Sequence, residues 1–393
     1  MRTLIELFDV RPLENVIGTD VFHPERVIYI CPEDFKEEER MREILGLFFQ
    51  HRGLEPELIF VCTDVYRSDD VLNTFRNIDR EYPDCAMDIS GGTDAALFAA
   101  GLMCAHNKMP VFTYSRRHNS FFNIRGADFA FKLPCRLTYS VEDCLLMAGG
   151  SMRKGRVDNS ILENYLSDID PFFRLYLEHR RGWTHTVAFM QRISPTGEDG
   201  TYDLTVKGEY QVKGEQGKWI QAPEDVLRDL FKIGFLSDLE IVPGETVSFR
   251  FRDGQIRSWL RDVGSVLELY VYKACLDSGL FQDVRTSVVV EWEKDIDNQA
   301  VSNELDVMCT RAVTPVFISC KTCSVKTEAL NELSVLRDRF GGKMARAAIV
   351  TTTTGGTAMR KRATELDITV IDLDDISSNK IGKCLKKLMQ TND

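Results

Sequence analysis

The 393-residue sequence has no long apolar runs, few histidines and none of the common nucleotide-binding motifs. No segment approaches the roughly 20 apolar residues of a membrane-spanning helix. The first residues, MRTLIELFDVRPLENV, contain acids and show no signal-peptide cleavage pattern. We therefore predict a cytoplasmic protein that does not associate with membranes. Neither a Walker A sequence nor G-x-G-x-x-G occurs, so an NTPase or a dinucleotide enzyme has no support.

The C-terminal domain also has no histidine for hydrolytic catalysis, and its cysteines lack the paired spacing of a zinc finger. All six histidines precede Thr186, so the C-terminal domain has no imidazole, and phosphodiester hydrolysis there would have to be metal-dependent. The eleven cysteines are scattered through apolar segments, which predicts reduced core residues rather than disulfides. Cys320-x-x-Cys323 lacks a second pair at zinc-finger spacing, and we expect core thiols there too.

The net charge of −11 is unevenly distributed. Residues 256–393 carry 19 basic and 19 acidic side chains, whereas the first 255 residues carry 30 basic and 41 acidic ones. A strongly acidic protein does not bind nucleic acid nonspecifically over its whole surface. We therefore expect a polyanion to bind at a local basic patch, and the neutral C-terminal third is its favoured location.

The pattern of apolar residues predicts an α/β protein with three parts. In the first part, predicted strands at 25–31, 56–65, 85–90 and 109–115 alternate with predicted helices at 37–53, 68–84 and 93–107. This alternation is typical of βαβ units and a parallel sheet. We predict a Rossmann-like domain over residues 1–150, a small mixed α+β connector of winged-helix type over residues 151–255, and a second α/β domain over residues 256–393.

Within the connector we predict a helix near residues 159–180 and a strand in TVAFMQRI (186–193). A helix in PEDVLRDLFKIGF (223–235) follows, and then a hairpin that turns at Asp253-Gly254. One amphipathic helix, residues 258–279, is expected to open the C-terminal domain.

The C-terminal domain contains an acid, a hydroxyl and a lysine on two predicted neighbouring strands. Asp306 lies on the first, and Ser319-Cys320-Lys321 lies thirteen residues later on the next. Because side chains alternate along a strand, Ser319 and Lys321 point to one face, and a short hairpin would place Asp306 beside that face. A carboxylate can bind a divalent metal that activates water, while the lysine stabilises charge on that water or on a phosphate. The alternative, a surface aspartate and an unrelated lysine, leaves a lysine at the end of a buried strand without an anionic partner.

These residues resemble the PD-(D/E)xK motif of the restriction-endonuclease-like superfamily, in which an acidic helix precedes an Asp and then Glu/Asp-x-Lys. Glu268 matches the helix acid, and Asp306 and Lys321 match the strand positions. The resemblance implies catalysis with Mn²⁺ or Mg²⁺. Ser319 departs from it, because a hydroxyl stands where a carboxylate is usual. Metal binding would then depend on Asp306 and Glu268, with Glu291 or Glu304 as further candidates.

In the first domain, DISGGTDAALFAAG (88–101) predicts a strand end, a glycine turn and a helix. Glycines allow a ligand to approach the backbone, and a helix N-terminus favours an anion. The turn, Ser90-Gly91-Gly92-Thr93, resembles the ligand turn of the CRISPR-associated Rossmann-like (CARF) sensor domains, which bind cyclic oligoadenylates across a homodimer axis. Two hydroxyls of the turn are expected to bond the ligand, whereas Asp94 is expected to cap the helix or to meet an adenine or ribose.

Two further loops are predicted to leave the same sheet edge, one at residues 9–16 and one at residues 114–121. Arginines there could neutralise phosphates, and His118 could stack on a base. The alternative of ordinary solvated loop charges stays open. The candidate ligand residues of these loops and of the preceding strand are Asp9, Arg11, Thr113, Arg116, Arg117 and His118.

Taken whole, the chain resembles the cyclic-oligoadenylate-activated effector nucleases of type III CRISPR defence. The resemblance implies a homodimer that binds a cyclic oligoadenylate, with the tetra-adenylate as the expected ring, and that then cleaves single-stranded RNA or DNA. Ser319 motivates an alternative, a regulator that binds nucleic acid through a nuclease fold without cleaving it.

Overall fold

The computed structural model describes residues 1–9, 13–106, 109–153, 158–214, 217–294, 300–342 and 345–390. The N-terminal part is built on one sheet. Its strands are β1 (Thr3–Leu7), β2 (Arg26–Pro32), β3 (Glu57–Thr63), β4 (Cys85–Asp88), β5 (Val111–Ser115), β6 (Ser120–Arg125) and β7 (Leu133–Pro134). Their spatial order is β3-β2-β1-β4-β5-β6-β7. Strands β1 to β5 are parallel, whereas β6 and β7 extend the sheet antiparallel.

Helices cover this sheet because its central strands, β1, β2 and β4, are buried. They are α1 (Leu13–Phe22), α2 (Glu38–His51), α3 (Ser68–Glu81), α4 (Asp94–His106) and α5 (Val141–Met147). In α2, Met41, Ile44, Leu45 and Phe48 are buried at the spacing of one helix face. The predicted loop at 9–16 is partly wrong, since α1 begins at Leu13.

The strand order places the glycine turn at the centre of the sheet. The chain runs from β1 outward through β2 and β3, and then returns to β4 on the other side of β1. The carboxyl ends of β1, β4 and β5 therefore lie side by side. Ligands of open α/β sheets bind at such a reversal of strand order.

The connector contains helices and short strands. After β8 (Ser151–Arg153), they are α6 (Leu166–His179), α7 (Trp183–Ile193), β9 (Thr205–Glu209), β10 (Gln211–Lys213), β11 (Trp219–Gln221), α8 (Glu224–Lys232), β12 (Leu236–Val242) and β13 (Thr246–Phe251). Helix α8 is followed by a β12–β13 hairpin, with β9 beside β13, and the winged-helix type of the connector stays a prediction. Strand β8 instead pairs with the C-terminal sheet.

Three local predictions around the connector are wrong. Residues 186–193 form most of helix α7, because Val187, Phe189 and Met190 are buried on one helical face rather than alternating as in a strand. Asp253 caps a helix, α9 (Gly254–Leu260), by accepting a hydrogen bond from the N–H of Ile256, so no hairpin turns there. The helix predicted over 258–279 is divided into α9 and α10 (Ser265–Asp277).

The C-terminal part is a mixed sheet with helices on its faces. Beyond α10, its elements are β14 (Asp283–Lys294), β15 (Ala300–Arg311), β16 (Thr314–Lys321), α11 (Thr327–Phe340), β17 (Arg346–Thr351), α12 (Thr357–Glu365), β18 (Ile368–Ile371), α13 (Leu373–Ser377) and α14 (Ile381–Leu388). The order is β18-β17-β16-β15-β14-β8. Strands β16, β17 and β18 are parallel, and the remaining pairs are antiparallel.

The hydrophobic cores extend across the predicted domain limits. Leu145 of α5 shares one core with Val290 of β14 and Phe340 of α11. Phe172 of α6 shares another with Trp259 of α9 and several strands of the C-terminal sheet. The limits at 150 and 255 stay a prediction about folding units. All eleven cysteines are free, and none of the described helices is long and apolar enough to span a bilayer.

Candidate functional sites

Asp306 lies where strands β15 and β16 separate. The two strands pair from Arg311–Thr314 to Val307–Ile318, and Asp306 lies immediately beyond the last pair. Its Oδ2 atom accepts hydrogen bonds from the hydroxyl of Ser319 at 3.0 Å and the backbone N–H of Cys320 at 2.6 Å. The Nζ atom of Lys321 lies 3.5 Å from the same oxygen. The structure thus brings Asp306, Ser319 and Lys321 together, and Lys321 has the anionic partner that its position required.

This cluster opens into a pocket between the sheet and helix α11. Glu304, Asp306, Ser319 and Lys321 line it from the strands, and Glu332 lines it from α11. The side chain of Asp306 is 18% exposed and that of Lys321 is 35% exposed, so both are accessible to a solvent-borne substrate. A phosphate in this pocket would face one lysine and several carboxylates, which is the charge pattern of a metal-assisted hydrolase.

Of the two glutamates that line this pocket, the sequence predicted Glu304 but not Glu332. Glu304, a predicted candidate, accepts a hydrogen bond of 2.8 Å from the hydroxyl of Ser287 on the neighbouring strand. Ser287 has a φ of 51°, in the left-handed region that is uncommon for residues other than glycine. Glu332 was missed, because only the docking of α11 brings it to the pocket and no motif indicates that contact.

Glu268 lies in the first turn of α10, the helix that packs against β15 and β16. Burial raises the pKa of the Cys320 thiol well above its usual range, and the charges of Asp306 and Glu268 raise it further. Both carboxylates therefore lie within electrostatic range of Cys320. That Glu268 shares a metal site with Asp306 stays a prediction.

The structure does not bring Glu291 to this cluster. Glu291 forms an ion pair with Arg153, at 2.6 Å between Oε1 and Nη1, and it lies opposite Ser151 of β8. The position opposite Asp306 on β14 is Ser287, four residues from Glu291. That separation corresponds to about 13 Å along a strand. In this structure Glu291 is therefore too far away to share a metal with Asp306.

The carboxylates near Asp306 have the right chemistry for a hard divalent cation but do not form a closed cage. Mg²⁺ and Mn²⁺ prefer oxygen ligands, and Asp306 and Glu304 both line the pocket. Among the described residues, three ligand atoms close enough to share an ion occur at Glu178, His179 and Asp229 of the connector, and not at Asp306. The pocket residues fit a metal held by few protein ligands and by water, as Mg²⁺ commonly is.

The hydroxyls of the glycine turn are engaged within the protein. The N–H of Ser90 donates to Oδ1 of Asp88 at 2.8 Å, and the hydroxyl of Ser90 donates to the same oxygen. The Ser90 hydroxyl oxygen accepts from the N–H of Tyr114 at 2.7 Å. The Thr93 hydroxyl donates to the carbonyl of Val65 at 2.5 Å. The expectation that these hydroxyls donate to a ligand is therefore not supported, since both hydrogens are already used.

Thr93 also caps helix α4. Its hydroxyl oxygen accepts a hydrogen bond of 3.2 Å from the N–H of Ala96. This is the position of an N-cap residue, so Thr93 has the capping role that was expected for Asp94. The turn is fixed at both ends by its own side chains, which leaves its backbone as the surface that a ligand would meet.

The two glycines of the turn are required by the backbone of β1. A Cβ atom on Gly92 would lie 2.7 Å from Cβ of Leu7, and the φ of Gly92 is +97°. A Cβ atom on Gly91 would lie 3.0 Å from the carbonyl oxygen of Leu7. Because real Cβ contacts are not this short and L side chains rarely adopt this φ, only glycine fits at Gly92 without rearrangement.

The neighbouring loops place charges of both signs beside the turn. Asp9 lies near Gly91 at the end of β1. Arg116, which follows β5, forms an ion pair with the buried carboxylate of Glu14. Burial lowers the pKa of Arg116, the charge of Asp9 opposes this shift, and Arg346 of the C-terminal sheet adds to it. Arg116 is therefore already neutralised from its own domain.

The other predicted ligand residues differ in accessibility. Thr113 is half-buried in β5, whereas Arg117 and His118 are exposed. The Nδ1 atom of His118 lies 3.0 Å from the hydroxyl oxygen of Ser115, and its ring meets the edge of Phe122. Arg11 lies outside the described residues.

Comparison with known proteins identifies the C-terminal part. Residues 258–389 match the family model described as Card1-like, endonuclease domain. The C-terminal part of the chain is thus similar to a Card1-like endonuclease domain. The matched residues include Glu268, Asp306 and Lys321, and the match confirms the predicted resemblance of this part to an endonuclease.

The whole fold is similar to two solved structures, each at 17% identity and with 99% of both chains covered. One is protein VC1899 from Vibrio cholerae, with a TM-score of 0.74. The other is Can2 from Sulfobacillus thermosulfidooxidans in complex with cyclic tetra-adenylate, with a TM-score of 0.70. At this identity the likeness shows the fold alone, and it confirms the predicted α/β class. No curated protein sequence matches the chain.

Proposed function

We propose that the protein is a metal-dependent nuclease activated by cyclic tetra-adenylate, which degrades single-stranded RNA or DNA in type III CRISPR defence. The observation that carries this proposal is the cluster of Asp306, Ser319 and Lys321 at an open pocket of the Card1-like domain. The glycine turn at the reversal point of the other sheet supplies a separate place for the activator.

Within the pocket, different residues would have different roles in hydrolysis. Asp306, with Glu304 or Glu268, would hold a divalent cation that supplies an activated water and polarises the phosphate. Lys321 neutralises charge that develops on the phosphate as the bond to water forms. Ser319 holds Oδ2 of Asp306 in place by donating to it at 3.0 Å. The hydroxyl thus supports the carboxylate rather than replacing the usual second ligand.

At the glycine turn, the ring phosphates would meet backbone N–H groups at the start of α4, where the helix dipole favours an anion. Arg117 provides positive charge, and His118 provides a ring for stacking on an adenine. The Can2 structure, whose fold is similar over the whole chain, was solved with cyclic tetra-adenylate, and this supports the choice of ring.

A homodimer is proposed because apolar side chains are exposed next to the turn. Phe98 of α4 is 61% exposed and Leu97 is 36% exposed, and Tyr66, which precedes α3, is 77% exposed. A second copy related by a two-fold axis would cover these side chains and complete a symmetric site for a ring. Closing the two N-terminal domains on the ring would then move the Card1-like domains, to which α5 is directly packed.

The test is a cleavage assay on the full chain. Labelled single-stranded RNA and DNA are incubated with Mn²⁺ or Mg²⁺, with and without cyclic oligoadenylates of several ring sizes. We expect cleavage that requires both a metal and the tetra-adenylate and that a chelator stops. If neither RNA nor DNA is degraded with any ring, the protein is not the nuclease proposed.

The alternative is a regulator that binds nucleic acid without cleaving it, and the serine at position 319 favours it. In that case the protein would bind labelled single strands more tightly with the ring present, and cleavage would be undetectable. Binding in the presence of a chelator, measured beside the cleavage assay, separates the two functions.

A further inference from the structure

Beneath the glycine turn, three polar side chains form a row across adjacent strands. Glu6 of β1 lies in register with Asp88 of β4 on one side and with Tyr29 of β2 on the other. Each of the three is at most 2% exposed. Buried carboxyl groups are costly unless they are protonated or paired, so this row needs an explanation beyond packing.

The two carboxyl groups point at the same small space. A Cβ atom on Gly18 of α1 would lie 2.7 Å from Oδ2 of Asp88 and 3.0 Å from Oε1 of Glu6. These two oxygens therefore lie close to each other beneath a glycine that leaves room for them. Within the described part of the chain, neither oxygen has a hydrogen-bond partner. Burial of two carboxyl groups beside one another strongly disfavours ionisation of both, so at least one of them holds a proton.

Hydrogen bonds decide where that proton lies. Oδ1 of Asp88 accepts both the N–H and the hydroxyl of Ser90, and such bonds favour the ionised form of Asp88. Burial raises the pKa of Asp88 to about 7 against these hydrogen bonds. Burial, and then the charge of Asp88, raise the pKa of Glu6 well above its usual range. These shifts favour a protonated Glu6, whose Oε1 atom points at the same space as Oδ2 of Asp88.

We propose that Glu6 and Asp88 share a proton and act as a pair of positioning residues for the ligand turn. Glu6 holds Asp88, the ionised Asp88 holds Ser90, and Ser90 holds Tyr114 near the end of β5. The turn then presents its backbone to an anionic phosphodiester ring in one fixed conformation. The proposal rests on the proposed function in one respect, that the turn binds such a ring.

The groups around the pair limit what else could titrate with it. Tyr29 lies beside Glu6 on β2, and Asn15 and Thr19 are buried on the α1 face that contains Gly18. The charged residues on the neighbouring elements include Asp9 beside Gly91, and Glu14 and Arg116, which form an ion pair with each other. His118 lies in the next loop, and His118→Gln serves as its control.

The first experiment measures binding of cyclic tetra-adenylate to the metal-free protein between pH 6 and pH 8.5. Lowering the pH places a second proton on the pair, and a neutral Asp88 is the weaker acceptor for Ser90. We expect wild-type affinity to be roughly fivefold weaker at pH 6 than at pH 8.5, the difference between charged and neutral hydrogen bonds. His118→Gln should retain this dependence if the carboxyl pair is its source.

The second experiment measures the same binding in variants of Glu6 and Asp88. Glu6→Gln keeps a donor toward Asp88 and should retain wild-type affinity at pH 8.5, whereas Glu6→Ala removes the donor and should weaken binding. Asp88→Asn should bind roughly fivefold more weakly at pH 8.5 and lose the pH dependence. A pH dependence that persists in Asp88→Asn would overturn the proposal, as would Glu6→Gln binding as weakly as Glu6→Ala.

A ligand-free measurement separates this inference from the proposed function. Hydrogen exchange of the peptide amides in residues 89–93 and 114, compared at one pH, reports directly on how firmly Asp88 holds Ser90. We expect faster exchange in Asp88→Asn and in Glu6→Ala, but not in Glu6→Gln. If the wild type binds no cyclic oligoadenylate, the proposed function fails while this pattern still supports the pair. Equal exchange in all variants would refute the pair even if the ring binds.

Discussion

Asp88 and Asp306 lie at opposite ends of the chain and are held in the same way. Each accepts hydrogen bonds from a serine hydroxyl and from a backbone N–H at the end of a strand. Their surroundings differ. Asp88 is fully buried beside Glu6, whereas Asp306 is partly exposed beside Lys321.

The difference shows how one local pattern can serve two functions. An aspartate beside another acid, away from water, keeps a proton close by and can only support its neighbours. An aspartate beside a lysine, in an open pocket, remains available to a cation and a phosphate. Burial and the sign of the neighbouring charge, rather than the hydrogen-bond pattern, separate Asp88, proposed to support the turn, from Asp306, proposed to face the substrate.

The largest effect is expected from removing Lys321, the residue that distinguishes the surroundings of Asp306 from those of Asp88. Lys321→Ala should lower the cleavage rate by roughly 100-fold or more, because stabilisation of charge on the phosphate is lost. Binding of cyclic tetra-adenylate should be unchanged, since the turn lies in another sheet. Lys383→Ala, an exposed lysine of α14, is the matched control. Cleavage by Lys321→Ala at the control rate would contradict the site assignment.

A substitution in the glycine turn should affect only the Asp88 region and not the Asp306 pocket. Gly92→Ala requires a left-handed backbone with a side chain, which costs about 1–2 kcal/mol, and it places a methyl group against Leu7. We expect roughly tenfold weaker binding of the ring, with a lower Tm. Gly101→Ala in α4 has open space around it and should be neutral or stabilising by up to about 1 kcal/mol. Equal ring binding by the two variants would count against the turn as the ligand site.

A connector residue should affect the Asp306 site without touching it. Asn159 exchanges two hydrogen bonds of 2.9 Å with the backbone of Thr286, whose hydroxyl donates to the carbonyl oxygen of Asp306. Asn159→Ala should destabilise the protein by about 1–3 kcal/mol, since buried backbone groups lose their partners. We expect a lower cleavage rate and a lower Tm, measured against Asn164→Ala, an exposed neighbour. A cleavage rate equal to that of the control would show that this support is dispensable.

The smallest effect is expected from removing the ion-pair partner of Arg116. Glu14→Gln removes the charge that neutralises Arg116 but preserves the shape of the buried side chain. The freed arginine would attract ring phosphates, so affinity should rise by roughly two- to fivefold at low salt and less at high salt. The control is Glu43→Gln, an exposed acid of α2. An unchanged affinity would mean that Arg116 does not face the ring.

Much of the architecture follows from sequence pattern, but specific contacts do not. Strand and helix alternation predicted the parallel sheet, and the spacing from Asp306 to Lys321 predicted their meeting on neighbouring strands. Helix α7 was predicted as a strand, because an apolar run with β-branched residues has no unique period over so short a length. Asp253-Gly254 was predicted as a hairpin turn, because Asp before Gly is common both in turns and at helix starts.

The sequence by itself determined the α/β class, the position of the glycine turn between a strand and a helix, and the acid–lysine pair on adjoining strands. Each of these depends on near neighbours along the chain or on the two-residue period of a strand. Tertiary structure decided that Glu332 joins the pocket, that Glu291 lies away from it, and that Glu14 neutralises Arg116. It also placed Glu6 against Asp88. Those pairings join residues far apart in sequence, and only the docking of helices and the order of strands brings them into contact.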